Sequence, residues 1–188
     1  GLFFTNPCYL DIASGNLVWE DSAGDMYPYK VPTKRGQGTF WFKTAPTLWE
    51  SQGYVNEGTL GFTNGVDNMT YRWCLRAGAK LEVAPGPSAS SIAQVLSDST
   101  TDPETQIRIR KDAILDLATG FNSWNSSYKF HGALVGEGML RVTGGAVHYF
   151  AKGAVDTLSF TGTYQPVLGA LQLGTAAAPI GINPAASI

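Results

Sequence analysis

Cysteine is nearly missing from this 188-residue chain, with Cys8 and Cys74 its only two. That is too few for a disulfide-stapled mini-protein. Histidine is as scarce, and neither His131 nor His148 has the close second His or Cys by which a transition-metal site usually declares itself. No run of about 18 apolar residues occurs, so neither a transmembrane helix nor membrane insertion is expected. The first residues also lack the charged and apolar layout of a signal peptide. The start at Gly1 without Met points to a piece of a longer parent. Charge is sparse at 15% of positions, with 13 Lys+Arg against 15 Asp+Glu and a formal net charge of −2. The basic residues are dispersed, so direct nucleic-acid binding by this region is not expected.

What is present is apolar and turn-rich. A hydrophobic content of 44% supports a core, while Gly 22, Pro 10 and 12% aromatics favour short strands joined by many turns. Residues 39–43 form the densest strand candidate. Residues 58–63 run into Asn64-Gly65 and on to a second candidate at 69–75, which reads as a hairpin. Residues 79–83 alternate apolar and charged before Pro85-Gly86-Pro87. Ile92, Val95 and Leu96 stand at helical spacing, and Thr101-Asp102-Pro103-Glu104 carries start signals for a helix reaching about Leu117. Gln106 to Arg110 nevertheless alternates with period two and suits a strand equally well. Beyond Gly120, strand candidates at 128–135, 138–142, 146–151 and 157–164 recur about every ten residues, the rhythm of a sandwich or barrel.

The expected fold is therefore all-β, a β-sandwich or jelly-roll-like or barrel domain with one or two short helices around residues 89–118. A single domain over 1–175 divides into a β part (1–87), a helical connection (88–120) and a second β part (121–175). An uncharged arm, 176–188, follows. No internal repeat of fixed period is visible.

Candidate sites are few. Both histidines lie in alternating apolar segments and read as structural. Cys74, within Tyr71-Arg72-Trp73-Cys74-Leu75, reads as an inert core thiol. The acidic stretch from Glu20 through Asp21 to Asp25 could offer oxygens to Ca²⁺, although the EF-hand spacing is absent and a solvated turn accounts for the same residues. Gly36-Gln37-Gly38 lacks the lysine and helix of a phosphate cradle. No convergent set of titratable groups is visible, so an enzyme is not expected and no cofactor is called for. Exposed tryptophans can stack on sugars. Of Trp19, Trp41, Trp49, Trp73 and Trp124, the loop-borne Trp49 and Trp124 are the candidates for surface recognition, and core packing is the default for the others.

The stretch Tyr71-Arg72-Trp73-Cys74-Leu75-Arg76-Ala77-Gly78-Ala79-Lys80-Leu81-Glu82-Val83-Ala84-Pro85-Gly86-Pro87-Ser88, with Ser91-Ile92-Ala93 and Thr101-Asp102-Pro103-Glu104, resembles the capsid proteins of small nodavirus-like and tetravirus-like positive-strand RNA viruses. In those proteins a last jelly-roll strand leaves through a proline- and serine-rich turn. The Asn-Ala cleavage dipeptide and the basic RNA-binding arm of that family are not found here. The resemblance implies a capsid surface or protruding domain on the virion surface, self-associating as a dimer or trimer of identical subunits and attaching to a host receptor or glycan. A carbohydrate-binding β-sandwich and a phage tail or adhesin domain are the alternatives.

Overall fold

The computed structural model describes residues 9–20, 33–43, 52–63, 69–97, 104–118, 129–144, 147–150, 159–168, 170–175, 178–179 and 187–188. Among them every regular element is a strand. In chain order these are β1 (Tyr9–Asp11), β2 (Asn16–Trp19), β3 (Thr33–Arg35), β4 (Thr39–Phe42), β5 (Gln52–Val55), β6 (Thr59–Thr63), β7 (Met69–Leu75), β8 (Lys80–Ala84) and β9 (Ser90–Ser97). They continue with β10 (Gln106–Ile109), β11 (Ile114–Leu117), β12 (Lys129–Phe130), β13 (Ala133–Gly136), β14 (Met139–Val142), β15 (Val147–Phe150), β16 (Thr163–Pro166), β17 (Ala170–Thr175) and β18 (Ala178–Pro179).

The strands coil into a parallel β-solenoid. A long sheet runs β1-β3-β5-β7-β9-β11-β14-β16, a short sheet runs β13-β10-β8-β6-β4-β2, and a third runs β12-β15-β17-β18. From β1 to β17 consecutive strands lie in different sheets, and each pairs with a strand a full coil away. Tyr54 of β5 stands opposite Cys74 of β7, and Gln106 of β10 opposite Ala133 of β13. Every ladder is parallel except the β17–β18 pair.

Several expectations are overturned here. The fold is a solenoid, and the sandwich, jelly roll and barrel are excluded because those architectures rest on antiparallel neighbours. Residues 58–63 and 69–75 do not form a hairpin, since β6 lies in the short sheet and β7 in the long one. Nor is there a helix around 89–118 among the described residues. Ser90–Ser97, Gln106–Ile109 and Ile114–Leu117 are strands, because Ile107 and Ile109 each find a parallel partner on both sides in β8 and β13. The helix start signals could not outweigh two ladders of neighbours. The ten-residue rhythm read beyond Gly120 does not hold either, since β12 to β16 begin at residues 129, 133, 139, 147 and 163.

The core forms columns running along the solenoid axis. In the short sheet one inward column is Leu17, Phe40, Leu60, Leu81, Ile107 and Leu134, and the next is Trp19, Phe42, Phe62, Val83 and Ile109. From the second rung inward these side chains are fully buried. Phe42 and Phe62 stack with ring centroids 5.8 Å apart, and Trp73 of the long sheet meets Phe62 edge-on at 6.1 Å. Period-two alternation in each strand thus becomes a dry interior shared by facing sheets.

Tight corners join the long sheet to the short one in the first rungs. At the third rung Gly58 has φ 65°, and a Cβ there would lie 2.4 Å from the Gly36 carbonyl oxygen and 2.5 Å from Lys34 Nζ. Only glycine meets both demands. Lys34 is itself buried, on an inward column between Leu10 and Val55. Its ammonium donates to the Gly36 carbonyl and, at 2.9 Å, to the Glu57 carbonyl, while the Gly36 N–H donates to Glu57 Oε2 at 3.2 Å. The lysine ties two successive corners together through their backbone. Farther along, Asp116 on the outer side of β11 accepts from Arg141 at 2.9 Å and from Thr143 Oγ1 at 2.8 Å, linking β11 to the next rung.

A candidate ligand-binding face

The outward columns of the short sheet follow from the same registers. One reads Asn16, Thr39, Thr59, Lys80, Gln106 and Ala133, and its neighbour reads Val18, Trp41, Gly61, Glu82, Arg108 and Val135. Trp41 is on this face because Phe40 and Phe42 point inward on either side of it. Its ring occupies the space over Gly61, where a Cβ would come within 2.1 Å of the indole. The residue that most weakens β6 by propensity is the one that makes room for the ring.

Charged groups frame the indole. The Arg110 guanidinium lies over it at 5.5 Å from the ring centroid and pairs with Glu82. Arg110 is half exposed, so the ion pair adds little stability and mainly fixes where the two groups sit. Toward the corner, the face continues into a polar groove of about 500 Å³ lined by Gln37, Gly58, Gly78, Lys80, Glu104 and Gln106. Lys80 and Gln106 belong to both the groove and the outward column, so the two regions are continuous. Successive rungs are about 4.8 Å apart, and the run from Trp41 to Arg108 therefore extends roughly 14 Å along the axis. The face offers one aromatic surface, ammonium and guanidinium donors, carboxylate acceptors, and amides that do both.

The sequence candidates fall elsewhere. Trp49 and Trp124 lie outside the described residues, as do Cys8 and Asp21 to Asp25. Trp19 and Trp73 are buried in the core. Cys74 is buried on β7. His131 is half-buried at the corner before β13, and His148 lies on β15. Among the described residues no three His, Cys, Asp or Glu side chains gather into a group able to hold a metal ion. Glu20 is exposed and pairs with Lys43. Gly36 and Gly38 form a solenoid corner. The capsid-like stretch 71–88 forms most of β7, a corner, β8 and the proline passage toward β9, all within parallel ladders. Trp41 was missed because its strand reads as core. The available signal was the alternation Phe40-Trp41-Phe42, which sends the middle ring outward if its neighbours go in.

Compared with protein-family models, curated proteins and solved structures, the chain matches none.

Proposed function

We propose that the chain is a rigid attachment module that binds an extended carbohydrate along the outer face of the short sheet and its adjoining groove. The observation that carries this reading is Trp41, a large indole set on the outward side of a strand and accommodated by Gly61. An aromatic ring offers its face to the C–H side of a pyranose, and the surrounding Lys80, Gln106 and Arg108 supply the mixed donors and acceptors that hydroxyl groups need. The near balance of charge on the face suits a neutral or weakly charged polymer better than a phosphate backbone. Glu82 is held by Arg110, which commits it to an ion pair.

Attachment to a host glycan is the part of the capsid-surface expectation that this geometry supports, and a phage tail or adhesin setting would use the same face. Glycan-array screening of the chain, followed by calorimetric titration of any hit, tests the proposal. Trp41→Ala is expected to weaken binding by about 2 kcal/mol, roughly thirtyfold, with an unchanged circular-dichroism spectrum. Absence of binding to every oligosaccharide, or a hit whose affinity ignores Trp41→Ala, would overturn it.

A further inference from the structure

Two cations on the outer face of the short sheet have no carboxylate beside them to neutralise their charge. β10 alternates, so Ile107 and Ile109 point into the core and Arg108 stands exposed between them. The parallel registers set Glu82 of β8 on one side of Arg108 and Val135 of β13 on the other. Val135 offers no charge. Glu82 is committed elsewhere, because the Arg110 Nε donates to its Oε1, and its side chain is only 15% exposed against 50% for Arg110. Arg110 is thus held from two sides, by that carboxylate and by the Trp41 ring. Among the described residues no carboxylate pairs with the Arg108 guanidinium, nor with the ammonium of Lys80, its diagonal neighbour across the β8–β10 ladder. Glu104 stands at the corner end of the groove, beside Gly78.

We propose that Arg108 is the subsite for the carboxylate of an acidic sugar, so that the glycan held on this face mixes neutral and acidic residues. This rests on the glycan reading above and names the class of chain it binds. The Trp41 ring leans over Gly61, and from there to Arg108 is two rungs, about 10 Å. A single pyranose ring does not span that gap, so the stacked sugar and the charged one are different residues of the same chain. A guanidinium presents parallel N–H donors that match the two oxygens of a carboxylate. The Gln106 amide and the Lys80 ammonium lie within one rung of it and take the adjoining hydroxyls. The same columns limit how much charge the ligand carries. A densely sulfated chain needs cations along its whole length, and toward Trp41 the outward positions are the neutral Thr39, Thr59 and Gly61. A neutral sugar on the indole and a carboxylate at Arg108 satisfy both ends.

The test is calorimetric titration of the full chain with two acidic probes, a hyaluronan hexasaccharide and a sialylated oligosaccharide, each beside its own carboxyl-reduced form. An acidic form is expected to bind at least about tenfold tighter than its reduced counterpart, and to lose that advantage as salt is raised. Arg108→Gln should erase the difference by weakening the acidic form alone, whereas Trp41→Ala should weaken both forms alike. Arg35→Gln, which removes the same charge from the long sheet, should change neither. Equal binding of the two forms, a difference that survives Arg108→Gln, or a preference for a densely sulfated heparin hexasaccharide would overturn the carboxylate subsite. So would binding confined to neutral glycans. Each of those results leaves the glycan reading standing, while failure of every oligosaccharide, neutral or acidic, removes both.

Discussion

At the level of single residues, two buried polar side chains among the described residues couple stability to pH. The Tyr164 hydroxyl is buried without a hydrogen-bond partner among the described residues, its ring edge-on to Phe160 at 4.9 Å. Burial pushes its pKa up to about 12 from 10. Because the unfolded chain ionises first, this residue's contribution is intact below pH 10 and is lost as the pH rises toward about 12. Tyr164→Phe is expected to remove that alkaline loss and, by deleting an unpaired hydroxyl, to leave stability at pH 7 equal or raised by about 1 kcal/mol, as urea melts at pH 7 and 11 would show. Lys34 behaves in the opposite sense. Burial lowers its pKa below 10.5, while Glu57 and Asp11 pull it back upward. The unfolded state then holds the extra proton, so stability rises with pH from the lowered folded value up to 10.5. Lys34→Met abolishes this slope, but it strands the Gly36 and Glu57 carbonyls and is expected to cost about 1–3 kcal/mol at neutral pH. Melts from pH 7 to 10 measure both.

Between one strand and the next, what matters is which neighbour a residue meets a coil away. Gly61 is a poor strand residue in isolation, yet its place is under the Trp41 ring. Gly61→Val supplies a better strand former and drives the indole off the face. The expected result is a chain of near-native stability with glycan affinity reduced at least about tenfold, read by thermal melting and titration on the same sample. Much of the strand content was legible in the sequence for the same local reason: residues 39–43, 79–83 and 138–142 alternate cleanly and are strands. The segment 89–118 misled because its apolar spacing satisfies a helix and a strand alike. Two flanking ladders, β8 on one side of β10 and β13 on the other, decided it.

In the whole molecule each rung touches only the rungs beside it, so stability is a sum of nearest-neighbour terms. Central strands such as β6 and β8, with neighbours on both sides, are expected to exchange their amide protons slowest. Among the described strands, the edge strands β1 and β2 should exchange faster than these. Hydrogen-exchange mass spectrometry checks this, and uniform protection from β1 to β8 would contradict it. The coil offset is uneven, from 20 residues between Tyr54 and Cys74 to 27 between Gln106 and Ala133. Long connections can vary freely while short strands keep register, which hides the repeat from a search for fixed period.

By itself, the sequence determined that this is an all-β chain of short strands, since alternation, turn residues and aromatic content act locally on the backbone. It also placed β4, β6, β7, β8, β14 and β15 within a residue or two. Only the tertiary structure decided that the strands pair in parallel across full coils, that Phe40 and Phe42 turn inward and Trp41 outward, and that Lys34 closes a corner. Those outcomes depend on which residues stand one coil apart, and local pattern carries no information about a distance that differs from coil to coil.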